Sequence, residues 1–141
     1  FELWSGNSSE FFNDAFLSPL EVKSWKEYFI PTVDLSAISF ANSHGAAQAQ
    51  FNYGSLTGSV ELSVFSTWQP ANWKLQISAI PESGTSIILG EALLNFSPDD
   101  PTQSIINPFP MASLPSGSFR VEAILFDVFT GQVRMRFDVD L

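Results

Sequence analysis

A chain of 141 residues, 45% hydrophobic and with 14 phenylalanines, is long enough to bury one core unaided, so residues 1–141 read as a single domain. Fifteen acids against six bases give a net charge of −9, which opposes strong direct contact with nucleic acid, and no run of roughly eighteen apolar residues offers a membrane helix. Cysteine is absent, which excludes disulfides, thiolate catalysis and sulfur-ligated zinc.

The chain begins at Phe1 rather than Met, as expected of a processed product or an excised piece of a longer polypeptide. Phe12, Ala15 and Phe16 have helical spacing. Ser18-Pro19-Leu20-Glu21 supplies an N-cap, a first-turn proline and a capping-box glutamate, and Val22, Trp25 and Phe29 would then line one face until Pro31. The spacing predicts a helix over 19–29, the competing reading being an extended segment with Trp25, Glu27 and Phe29 on one side. Residues 41–50, rich in alanine around His44-Gly45, read as a short helix or a loop.

Strands follow. Val60, Leu62 and Val64 alternate with Ser59, Glu61 and Ser63, and after a break at Pro70-Ala71-Asn72, Trp73, Leu75, Ile77 and Ala79 alternate with Lys74, Gln76 and Ser78. Pro81-Glu82-Ser83-Gly84 turns the chain into a strand region at 86–97, interrupted by Gly90, with Ala92, Leu94 and Phe96 on one face. Asn107-Pro108-Phe109-Pro110 restricts 105–110 to a very short or edge strand, because proline lacks a ladder donor. From Gly117 to Leu141 two segments alternate strictly around a turn near Thr130-Gly131. Val121, Ala123, Val133, Met135, Phe137 and Val139 are predicted core positions of this hairpin. The expectation is an all-β antiparallel sandwich with one or two short helices near the N-terminus.

No catalytic constellation is evident, and the chain is expected not to be an enzyme. His44 is the single histidine, hence the single candidate for a Ser-His-Asp base or an imidazole metal ligand; the ordinary reading is a loop histidine beside a turn glycine. Asp99-Asp100 and the group Asp127, Asp138 and Asp140 could offer oxygen ligands to calcium, but no calcium-loop pattern is present and Asp beside Pro is common turn chemistry. No catalytic, cofactor-binding or metal-binding residue is therefore assigned. Trp73 lies in the apolar phase of its strand, whereas Trp4, Trp25 and Trp68 are open candidates for a sugar-stacking surface. Asn7-Ser8-Ser9 and Asn95-Phe96-Ser97 are glycosylation sequons.

The order of these elements resembles a known family. Tyr53-Gly54-Ser55 and Gly58-Ser59-Val60 entering a strand, a strand closed by Ile80-Pro81-Glu82-Ser83-Gly84, an acidic break, Asn107-Pro108-Phe109-Pro110 and a terminal Met135-Arg136-Phe137-Asp138 resemble the second half of a jelly-roll coat protein of picornavirus-like viruses, comoviruses and nepoviruses especially, over roughly residues 40–141. The resemblance implies a jelly roll, a structural capsid domain that self-assembles with copies of itself or sister coat domains into an icosahedral shell around RNA, and a location in the virion. The chain departs from that family in being short and in lacking a basic arm. The alternative is a secreted or cell-surface β-sandwich, immunoglobulin-like or carbohydrate-binding, serving adhesion or sugar recognition. The two readings separate on topology: a jelly roll pairs its first and last strands in one sheet, whereas an immunoglobulin-like sandwich does not.

Overall fold

In the computed structural model, Pro19 and residues 30–141 are described. The helix expected over 19–29 and residues Trp4, Trp25 and Asn7 lie outside them, apart from Pro19, which sits in a turn. Eight strands form the described part: β1 Phe40–Asn42, β2 Gly45–Asn52, β3 Thr57–Ser66, β4 Ala71–Pro81, β5 Ile87–Phe96, β6 Thr102–Pro110, β7 Phe119–Asp127 and β8 Val133–Val139. A single turn of 3₁₀ helix, Met111–Ser113, links β6 to β7.

The strands make two antiparallel four-stranded sheets in the orders β1-β2-β3-β6 and β5-β4-β7-β8. The all-β antiparallel sandwich is what the alternation called for. The jelly-roll connectivity is corrected: β1 and β8, the first and last described strands, lie in opposite sheets, and β8 pairs with β7 instead. The physical reason is local, since a short loop with Gly131 in the left-handed region (φ 68°) returns the chain directly onto β7. Strands β2 to β8 follow an immunoglobulin-like order, with the fourth of them, β5, paired to the third, β4, rather than to the fifth.

The core lies between the sheets. Val60, Leu62 and Val64 of β3 face Trp73, Leu75 and Ile77 of β4, and all six are essentially inaccessible. Aromatic pairs knit the interior, Trp73 edge-on to Phe96 at 4.9 Å and Phe51 against Phe109 at 5.4 Å. Along one side Phe40 of β1 stacks on Phe137 of β8 at 5.2 Å, and Asn42 Nδ2 donates to the Arg134 carbonyl at 2.8 Å, joining one sheet to the other. On the opposite side Asn107 Nδ2 of β6 donates to the Leu89 carbonyl of β5 at 3.2 Å. Gly90 permits that contact, because a Cβ there would lie 2.0 Å from Asn107 Oδ1. Gly90 pairs with Ile77 and Ile88 with Ser78, so Leu89 is the extra residue of a bulge.

Two local expectations change and a third is resolved. Residues 41–50 are neither helix nor loop but the β1–β2 hairpin: Ala46 and Ala47 are wholly buried, and burial of their methyl groups overrides alanine's helical preference. Val133 is half-exposed rather than core, because Leu125 pairs with Met135 and Phe126 with Val133, leaving Arg134 as an inserted residue that inverts the phase before it. β6 is an edge strand but not a short one. It runs nine residues beside β3, with Pro108 and Pro110 at alternate positions whose missing N–H groups would point away from β3.

Candidate functional site

One end of the sandwich gathers three connections: the β1–β2 turn at 43–44, the β3–β4 loop at 67–70 and the β7–β8 loop at 128–132. The first two are tied together. Thr67 donates its amide to the His44 carbonyl at 3.0 Å and its hydroxyl to the Ser43 carbonyl at 3.0 Å. Buried Ser66 then fixes the start of the β3–β4 loop, its hydroxyl donating to the Trp68 carbonyl at 2.7 Å and accepting from the Trp68 amide at 3.2 Å. Trp68 is thereby placed at a defined spot with its side chain 65% exposed.

The third loop is organised by one carboxylate at the end of β7. Asp127 Oδ1 accepts from the amides of Phe129 (3.1 Å) and Thr130 (2.8 Å) and from the Thr130 hydroxyl (3.0 Å), while Oδ2 accepts from Arg134 Nη2 at 2.9 Å. These donors, the Arg134 guanidinium first and the Thr130 amide next, hold the Asp127 carboxyl down at about 2. The loop also closes through backbone bonds, Gly131 amide to Asp127 carbonyl and Asp127 amide to Gln132 carbonyl, both 2.9 Å, and Val128 donates to the Asn72 carbonyl at 3.0 Å. On this fixed frame Phe129 stands 82% exposed.

Between the loops lies a cleft of about 150 Å³ lined by His44, Trp68, Pro70, Asn72, Asp127, Phe129 and Arg134, with buried Trp73 beneath. Its two fully charged lining residues are bonded to each other, so they offset one another. His44 Nδ1 is buried without a hydrogen-bond partner among the described residues. A wider, more open depression at Ile80, Pro81, Glu82, Ser118, Phe119 and Arg120 has no strongly exposed aromatic residue, and Arg120 there is engaged by Asp138 and Glu122.

The candidates singled out in the sequence disperse accordingly. His44 and Asp127 both line the cleft, but no serine is among the lining residues. Asp138 pairs with Arg120 beside Glu122, five positions along β7 from Asp127, so the carboxylates do not converge. Asp100 is taken up in a bridge with Ser97 and in a side-chain bond from Gln103. Among the described residues, no group of three or more His, Cys, Asp or Glu is arranged to hold a metal ion. Trp73 is core, Trp68 is the exposed tryptophan of the described residues, and Asn95 is exposed on β5. Phe129 and Arg134 were not anticipated. The available signal was an aromatic inside a turn sequence, Val128-Phe129-Thr130-Gly131, where folding alone does not call for one.

Compared with known proteins, the chain matches no family model, and no curated protein sequence matches it. Among solved structures it is similar to a selenomethionine-labelled β-glucosidase from Kluyveromyces marxianus, at 9% identity and a TM-score of 0.43. The match covers 74% of this chain and 15% of that one.

Proposed function

We propose that this chain is a recognition module, a secreted or cell-surface β-sandwich serving adhesion or carbohydrate binding, and that it performs no catalysis of its own. One observation carries the reading: Trp68 and Phe129 are held by hydrogen-bonded loops at the same end of the sandwich and are left 65% and 82% exposed around one cleft. A large aromatic side chain in water contributes little to folding; it contributes to binding when a partner covers it. The corresponding end of immunoglobulin-like sandwiches, where the loops after the second and sixth strands meet, suits such a role because a rigid scaffold supports it.

The coat-domain reading is the alternative. Its expected fold was a jelly roll, so the β7–β8 pairing favours the surface module over it. Both are tested on the same 141-residue protein. Titration against a glycan array, followed by calorimetry on the hits, is expected to give binding that Trp68→Ala and Phe129→Ala each weaken at least about tenfold, with thermal unfolding unchanged. Light scattering with electron microscopy, at neutral pH and near the pI of about 4.2, is expected to find monomers. Ordered particles, together with no glycan binding, would return the coat reading.

A further inference from the structure

Resting on the loop end as the recognition surface, we propose that its cleft takes one uncharged sugar ring at the end of a glycan, stacked against Trp68 and Phe129, and that Asp127 is the positioning residue that sets Phe129. Size is the first argument. About 150 Å³ is well below the roughly 300–1,000 Å³ of pockets that enclose drug-sized ligands, so one ring enters and a longer chain stays outside.

Charge is the second. Asp127 and Arg134 are the carboxylate and the guanidinium of the lining, and they are bonded to each other at 2.9 Å. A phosphate or carboxylate ligand would meet Asp127 and a protein of net charge −9; an ammonium would have to displace Arg134 from its carboxylate. A neutral ring with an apolar C–H face for the aromatic residues and hydroxyls for His44 and Asn72 meets neither obstacle.

The third argument is order. Three bonds to Asp127 Oδ1 and one to Oδ2 fix the backbone on both sides of Phe129, although its ring packs on almost nothing in the free protein. Such preorganisation removes an ordering cost that a loose loop would meet on binding. Asp127 therefore acts on affinity through Phe129, without itself stacking on the ligand.

The test uses methyl glycosides of neutral hexoses, the matching oligosaccharides, the same oligosaccharides methylated at the non-reducing end, and glucuronides as charged controls, each titrated into the full chain by calorimetry. One neutral methyl glycoside is expected to bind nearly as tightly as its oligosaccharide, and methylation of the terminal ring to weaken binding at least about tenfold. Asp127→Asn and Phe129→Ala should each lower affinity, and the double variant should bind no worse than Phe129→Ala alone. Thr130→Val, which removes the hydroxyl bond to Asp127 Oδ1 and the bond that hydroxyl accepts from the Gln132 amide, should give a smaller loss in the same direction. Affinity that grows with each internal sugar and ignores the terminal methyl overturns the end-ring assignment while leaving the loop-end reading intact. Additive losses for Asp127→Asn and Phe129→Ala overturn the positioning role. Glycan binding untouched by Trp68→Ala and Phe129→Ala removes the loop-end reading and this proposal together.

Discussion

Truncating Phe137 to alanine tests the sandwich at the place where its first and last described strands meet. The side chain is 7% exposed, and its ring lies nearly parallel to that of Phe40, 13° apart in plane. Replacing a buried phenylalanine by alanine costs about 3–5 kcal/mol, from lost transfer energy and the cavity left behind. Against a total stability on the order of 5–15 kcal/mol for a domain, that brings the variant close to the folding threshold. Urea unfolding followed by tryptophan fluorescence measures the loss, provided the m-value is unchanged. Arg136→Ala, one position away on the opposite and exposed face, should change stability by under about 1 kcal/mol. The cycle with Phe40→Ala should return a coupling of about 0.5–1.5 kcal/mol for the stacked pair. A loss below about 1 kcal/mol for Phe137→Ala would mean that the phase of β8 is wrong. Zero coupling would mean that β1 and β8 do not face each other across the interior.

The Asp127 carboxyl is held at about 2 against an ordinary value of 3.8, so the folded state binds its proton more weakly than the unfolded chain does. Its contribution is therefore complete above about pH 4 and lost as the pH falls towards 2. Thermal midpoints of the wild type should drop more steeply across that window than those of Asp127→Asn; parallel curves would refute the assignment. Neither the wild type nor His44→Ala is expected to hydrolyse nitrophenyl glycosides, esters or phosphates, and turnover present in the first and absent in the second would reverse the non-enzymatic reading.

What could be read in advance was whatever repeats within a few residues. Val60-Leu62-Val64 and Trp73-Leu75-Ile77-Ala79 declare their inward faces by period alone, and the structure buries every one. Val133 was misjudged because a single inserted residue, Arg134, resets the period, and nothing in the local pattern marks a bulge. Ala46 and Ala47 were ambiguous because alanine suits a helix, a loop or a crowded sheet interior. The pairing of β8 with β7 was already implicit in the hairpin between Gly117 and Leu141, and it conflicts with the jelly-roll order drawn from the resemblance. The cleft was the least legible feature. It unites His44, Trp68 and Phe129 from three separate connections, and only the completed fold brings them together.

The four outer strands together govern how copies of this protein can meet. An open sheet edge is a template for another chain's strand, and among the described residues several edges are short or interrupted. β1 is three residues long, and β6 carries Pro108 and Pro110 where donors would stand. β5 is interrupted at its bulge, where Asn107 occupies the Leu89 carbonyl, and β8 alternates Arg136 and Asp138 with its core residues. Among the described residues, the β5 and β6 flanks thus resist strand addition, β5 through its bulge and β6 through its prolines. Copies of the described sandwich can then lie side by side along those flanks without extending one another's sheets.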